Sequence, residues 1–199
     1  VYVSTKTNAG NINFKNTAIA CGWNEHRLGH KDKWTGWRYR MEQYLQYAAG
    51  RRADELLILS DADDVLVLHA SDERLRALYH SFGTPIVVGA ESGCGSNNRP
   101  LTRWTDEDSH ILNRYVNAGL MIGTAYAITM LFQWQLDQGF DDDQIALASY
   151  ANLYPERIGL DIDAKIFLNL FAEKGDLAYN DASRTFTNNG GDVLSPYFV

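Results

Sequence analysis

Cysteine is scarce: the 199 residues contain two, Cys21 and Cys94. They stand far apart and match no metal-ligand spacing, so a structural zinc site is not expected. Both read as buried free thiols, which leaves the redox compartment open. No apolar run approaches the roughly 20 residues that a membrane helix needs, so no membrane span is expected. No basic segment followed by an apolar stretch marks a signal peptide, and no Asn-x-Ser/Thr glycosylation acceptor occurs. Basic charge is in short supply as well. Eighteen Lys and Arg face 25 Asp and Glu, for a formal net charge of −7. Displacing counterions from a nucleic-acid backbone needs the opposite balance, so nucleic acid is not an expected partner. An acidic chain that handles a phosphorylated small molecule would instead recruit a divalent cation. Repeats and low-complexity tracts are missing too.

What is present is a globular composition, 45% hydrophobic and 22% charged, long enough to bury one sizeable core. Short apolar runs alternate with longer amphipathic ones. That order predicts an α/β fold with a mostly parallel central sheet flanked by helices. Strands are expected at residues 1–5, 55–60, 85–90 and 116–123. In "GWRYRMEQYLQYAAG", Tyr39, Met41, Tyr44, Leu45 and Tyr47 or Ala48 fall near one helical face, and Gly50 supplies a stop. "SDERLRALYHSFG" reads as a helix capped by Ser71 and followed by Gly83. Two further helical segments break at Gly139. Residues 93–114 carry glycine, proline and mixed charge without a period and read as a long surface loop. The tail reads as a hairpin turning at Asn189 and Gly190.

Chemistry concentrates where strands end, since ligands of open α/β sheets bind beyond the carboxyl ends of the strands. "LLILSDADDVLVL" puts Asp61, Asp63 and Asp64 at such an end. One carboxylate there would serve a turn or a cap. Three within four residues repel one another, and nothing basic lies nearby in sequence. A hard divalent cation, Mn²⁺ or Mg²⁺, resolves the repulsion, with one or two carboxylates and substrate phosphates as ligands. A second cluster, "DDDQ", spans Asp141 to Gln144 at the start of a helix. Complementing the helix dipole needs one or two of these carboxylates; a third suggests a site facing an acceptor hydroxyl. In "YVNAGLMIG", Asn117, Ala118 and Gly119 precede an apolar strand. That pattern suits either close approach of a ligand or a β-bulge.

Taken in order, "LSDADDVLV", "GAESGC", "RYVNAGLMIG", "FDDDQIAL" and "LDIDAKIFLNL" resemble the glycosyltransferase domain of the procollagen lysyl hydroxylases and their viral relatives. The resemblance covers nearly the whole chain. It implies a GT-A (Rossmann-like) fold in one domain over 1–199, with a nucleotide-binding half to about residue 92 and an acceptor-side half beyond. It implies a UDP-sugar donor, Mn²⁺, and transfer of glucose or galactose to a hydroxyl of collagen, of another protein or of a glycan. A secretory or endoplasmic-reticulum location would follow.

Residue by residue, the resemblance makes Asp61 and Asp64 the metal ligands of an Asp-x-x-Asp segment. Between them the family carries an aromatic residue that stacks on uracil, where this chain has Asp63; an Asp61/Asp63 pairing stays open. Trp34 matches a tryptophan flanking the uridine, while Trp37 is expected to pack beneath the following helix. Arg38 takes the place of a lysine that meets the diphosphate. Thr5 lies beside the uridine. Asn117 with Asp142 or Asp143 lines the sugar and acceptor side, and Glu91 belongs to the same wall. The family's third metal ligand is a histidine shortly after a short strand matching "SPYFV". Histidines 26, 30, 69, 80 and 110 do not fall there, so that ligand is expected just past Val199.

The activity so implied is metal-dependent hexosyl transfer, with the cation holding the diphosphate and Asp142 or Asp143 facing the acceptor. Two rivals stand beside it. A nucleotidyltransferase would carry a glycine- and arginine-rich loop near the N-terminus, which "VYVSTKTNAGN" lacks. An inactive binding domain would have lost the metal pair that Asp61 and Asp64 preserve.

Overall fold

A computed structural model describes residues 1–93, 113–170, 177–188 and 190–199. Its central element is a four-stranded sheet. β3 (Leu56–Ser60), β4 (Ile86–Glu91), β5 (Tyr115–Thr124) and β6 (Ile158–Asp161) lie in the order β3-β5-β4-β6. The expected mostly parallel sheet is corrected here: β5 runs antiparallel to both neighbours, and only the β4–β6 pair is hydrogen-bonded in parallel. An apolar run carries no direction. A buried strand reads the same whichever way it points. Two short strands, β1 (Tyr2–Val3) and β2 (Arg27–Leu28), pair in parallel. The Ser60 amide donates to the Val1 carbonyl at 3.0 Å, tying β1 to β3.

Helices cover both faces. α1 (Ala9–Ala20) has no counterpart among the expected elements, since its first turns hold Gly10, Asn11 and Asn13 and its buried residues are only Asn11, Phe14 and Ala18. A reciprocal cap starts it: Asn8 and Asn11 each accept from the other's amide. α2 (Trp37–Ala49) buries Arg40, Met41, Tyr44 and Ala48, so an arginine stands where Tyr39 was expected. α3 (Glu73–Ser81) is capped by Asp72, not Ser71: its carboxylate accepts from the Leu75 amide at 2.9 Å. α4 (Ala125–Asp137) and α5 (Asp143–Leu153) are separated at Gly139, whose φ of 76° favours glycine.

One core layer packs Met41, Tyr44, Leu59, Val88, Ile128, Phe132 and Leu147 between the sheet and α2, α4 and α5. The opposite layer packs Phe14, Tyr79, Val87, Ile122, Phe167 and Tyr197. β4, buried along its whole length, is therefore apolar on both sides. The tail forms a three-stranded meander, β7 (Ala178–Asn180), β8 (Thr185–Thr187) and β9 (Val193–Leu194), rather than a single hairpin. Asn189 of the expected turn, Cys94, and residues 94–112 of the expected loop lie outside the described residues.

The site edge follows from these directions. β3, β4 and β6 run the same way, so Ser60, Glu91 and Asp161 end together, and antiparallel β5 begins there at Tyr115.

Candidate active site

At that edge the chain needs one backbone irregularity. Val88 faces Met121 and Gly89 faces Asn117, so residues 118–120 leave β4 in a bulge while Leu120 stays paired with Ser60 of β3. The Gly119 carbonyl then accepts the Asp61 amide at 2.7 Å. Of the two readings of Asn-Ala-Gly, the β-bulge is the one observed, and it lies against the acidic turn. A Cβ at Gly119 would stand 2.5 Å from Asp61 Oδ2, so only glycine leaves the carboxylate its place. A Cβ at Gly10 would fall on the Asp63 carbonyl, and the start of α1 approaches the turn as closely as backbone allows.

Two cavities meet on this turn. The larger, about 480 Å³, is lined by Thr5, Lys6, Trp34, Trp37, Arg40 and residues 61–64. The smaller, about 300 Å³, is lined by Asp61, Asp64, Asn117, Gly119, Asn169 and Val199, among others. Asp61 and Asp64 belong to both.

The expected residues do not all reach the cavities. Thr5, Trp34, Asp61, Asp63 and Asp64 share the larger cavity, and Asn117 lines the smaller. Glu91 is buried behind the wall, accepting from Asn117 Nδ2 at 2.9 Å, and thereby fixes which way the Asn117 amide faces. Arg38 lines neither cavity; it pairs with Glu42 at 3.3 Å and donates to the Phe140 carbonyl at 3.4 Å. The "DDDQ" cluster divides its work. Asp142 caps α5, accepting from the Ile145 amide at 2.9 Å. Gln144 bonds the backbone of Val116 and Ala118 and pins α5 to the bulge. Asp143 is buried against Arg40.

Trp37 corrects another expectation. It does not pack beneath α2 but stands 47% exposed on the cavity wall, edge-to-face with Trp34 at 5.3 Å between ring centroids. Arg40 is buried and lies over the Trp37 ring at 4.6 Å. Its Nη1 pairs with Asp61 Oδ1, while Nε and Nη2 pair with Asp143 Oδ2. Burial alone would lower the guanidinium's pKa; Asp61 and Asp143 more than offset this and hold it above its ordinary value. Burial pushes the Asp143 carboxyl upward, against the pull of Arg40.

Three residues that matter here escaped the sequence reading. Lys6 directly follows Thr5 and carries no ion pair among the described residues. Asn169 is a lone polar residue in an apolar run; its amide donates to the Ala90 carbonyl at 2.9 Å. Arg40 precedes Tyr44 by one helical turn, a charge on an apolar face. In "LDIDAKIFLNL" the acidic start is scaffold, while the end that carries Asn169 reaches the smaller cavity. Asp161 is buried and accepts the amides of Lys165, Ile166 and Phe167 at 2.7–2.9 Å, which shapes the turn leading to Asn169.

A divalent cation fits the acidic turn only in part. Among the described residues no group of three or more His, Cys, Asp or Glu is arranged to hold a metal. Partial desolvation, with the negative charge of Asp61, pushes the Asp64 carboxyl above its ordinary range. Two such oxygens suit an Mg²⁺- or Mn²⁺-type ion that completes its shell with phosphate and water.

Compared with known families, residues 1–193 match the model of the PLOD GT domain. No curated protein matches the chain.

Proposed function

The chain belongs to the PLOD glycosyltransferase-domain family, and from that premise we propose that it transfers a hexose, glucose or galactose, from a UDP-sugar to a hydroxyl acceptor with the help of Mn²⁺ or Mg²⁺. The observation that carries this reading is the shared wall: Asp61 and Asp64 border both cavities. A donor whose base and ribose occupy the larger cavity has its diphosphate at those carboxylates and its sugar directed into the smaller one.

The chain's own groups then have distinct tasks. Trp34 and Trp37 offer faces to the uracil, which compensates for the acidic residue at position 63. Thr5 sits beside the ribose, and Lys6 supplies the positive charge near the diphosphate that Arg38, turned toward Glu42, does not. Asp61 and Asp64 would hold the cation, which when bound neutralises the leaving diphosphate. Asn117, oriented by Glu91, and Asn169 line the sugar side. Asp142 is half-buried and Asp143 fully so. Neither borders the two cavities: Asp142 serves by capping α5 and Asp143 by holding Arg40. The acceptor is a glycan, collagen-like or other protein hydroxyl.

Release of hexose from UDP-glucose and UDP-galactose, with and without Mn²⁺, tests the reading in wild type and in Asp64→Ala. Metal-dependent turnover that Asp64→Ala abolishes is expected; unchanged turnover would overturn it. The Arg40–Asp61 pair favours one second reading, a nucleotide-binding domain without catalysis in which the guanidinium stands in for a cation. Tight, Mn²⁺-independent UDP binding without turnover would identify it.

A further inference from the structure

We infer that Arg40 makes cation binding conditional on the nucleotide: the acidic turn takes Mn²⁺ tightly only together with a diphosphate. This inference rests on the metal-and-nucleotide reading of the same cavity. Arg40 is a resident cation in the place where a second one has to go. Its guanidinium covers Asp61 Oδ1, leaving Oδ2, the oxygen beside Gly119, as the free donor. It is not a side chain that swings away. Nε and Nη2 are fixed by Asp143, Trp37 lies against its face, and only 7% of the side chain is exposed.

Two consequences follow from the guanidinium's direct contact with Asp61 Oδ1. A divalent ion arriving by itself at Asp61 and Asp64 meets a fixed positive charge on the far side of one ligand, where burial weakens the screening by water. A diphosphate brings ligand oxygens and further negative charge to the same point, with Lys6 on the same cavity wall, and offsets the repulsion from Arg40. The chain thus admits the metal–nucleotide complex and discriminates against the free ion, and no third protein carboxylate is required.

Calorimetric titration of Mn²⁺ into the full chain, with and without UDP, tests this in wild type, Arg40→Gln, Arg40→Lys and the double variant Arg40→Gln/Asp143→Asn. The double variant removes both buried charges and keeps the test usable if the single Gln variant fails to fold. Wild type and Arg40→Lys are expected to bind Mn²⁺ at least tenfold more tightly with UDP than alone. Arg40→Gln or the double variant is expected to bind Mn²⁺ alone at least tenfold more tightly than wild type does. No gain in that variant, or equal Mn²⁺ affinity of wild type with and without UDP, overturns the role of Arg40. Wild type that binds no Mn²⁺ even with UDP overturns the proposed function itself, a result distinct from either.

Discussion

Residues 61–64 and 141–143 each place three carboxylates in a short span, and the fold uses them in opposite ways. The first triplet follows a strand and starts no helix of its own. Asp63 and Asp64 stay exposed, and Asp64 is left with a carboxyl whose ionisation the turn disfavours. The second begins a helix, which consumes Asp142 as a cap and buries Asp143 on an arginine. Identical chemistry thus becomes a ligand surface at a strand end and a structural clamp at a helix start. Arg40 joins the two, holding one carboxylate from each.

Substitutions can break this division, and the largest effect belongs to the strand-end turn. Asp64→Asn should lower kcat/KM for the donor at least about a thousandfold, roughly 4 kcal/mol of transition-state binding, without lowering the denaturation midpoint, because the variant removes a repelling charge. A fall in stability equal to that of a core variant would place Asp64 in the clamp instead. Arg40→Met should be the converse, costing about 3–5 kcal/mol by chemical denaturation, since it strands Asp143 as an uncompensated buried charge. Asp142→Ala should cost about 1 kcal/mol, the worth of a helix cap.

The smallest effect is a pH dependence. Desolvation and the neighbouring Asp61 charge hold the folded Asp64 carboxyl above its ordinary range, so the folded state binds this proton more readily than the unfolded one. Its ionisation costs stability at neutral pH, and that cost disappears as pH falls through the raised pKa. Protons then compete with the cation, so Mn²⁺–UDP affinity should begin to fall at a pH above the ordinary carboxylate range. Asp64→Asn should flatten that decline.

Much of this contrast was legible in sequence. Charge set against an apolar run marks the turn at 61–64 without reference to any other part of the chain. The burial of Met41, Tyr44 and Ala48 follows from helical spacing. What escaped depends on partners far away. Arg40 acquires meaning only from Asp61, 21 positions on, and Asp143, 103 positions on. α1 hid behind Gly10 and its asparagines, whose capping bonds are invisible to hydrophobic periodicity. β6 is four residues long, too short to show a period before Asp161 ends it. Trp37 was read as packing because an aromatic at a helix start usually packs, but here Arg40 holds it on the cavity wall.

The central claim is that the 61–64 turn, and not the 141–143 clamp, receives the cation and the nucleotide. Crystals grown with Mn²⁺ and UDP and measured at the manganese absorption edge test it most directly. The account predicts one anomalous peak about 2 Å from carboxylate oxygens of Asp61 and Asp64, with the uracil ring against Trp34 or Trp37. A peak at Asp142 or Asp143, or UDP in the cavity with no metal on the turn, would contradict it.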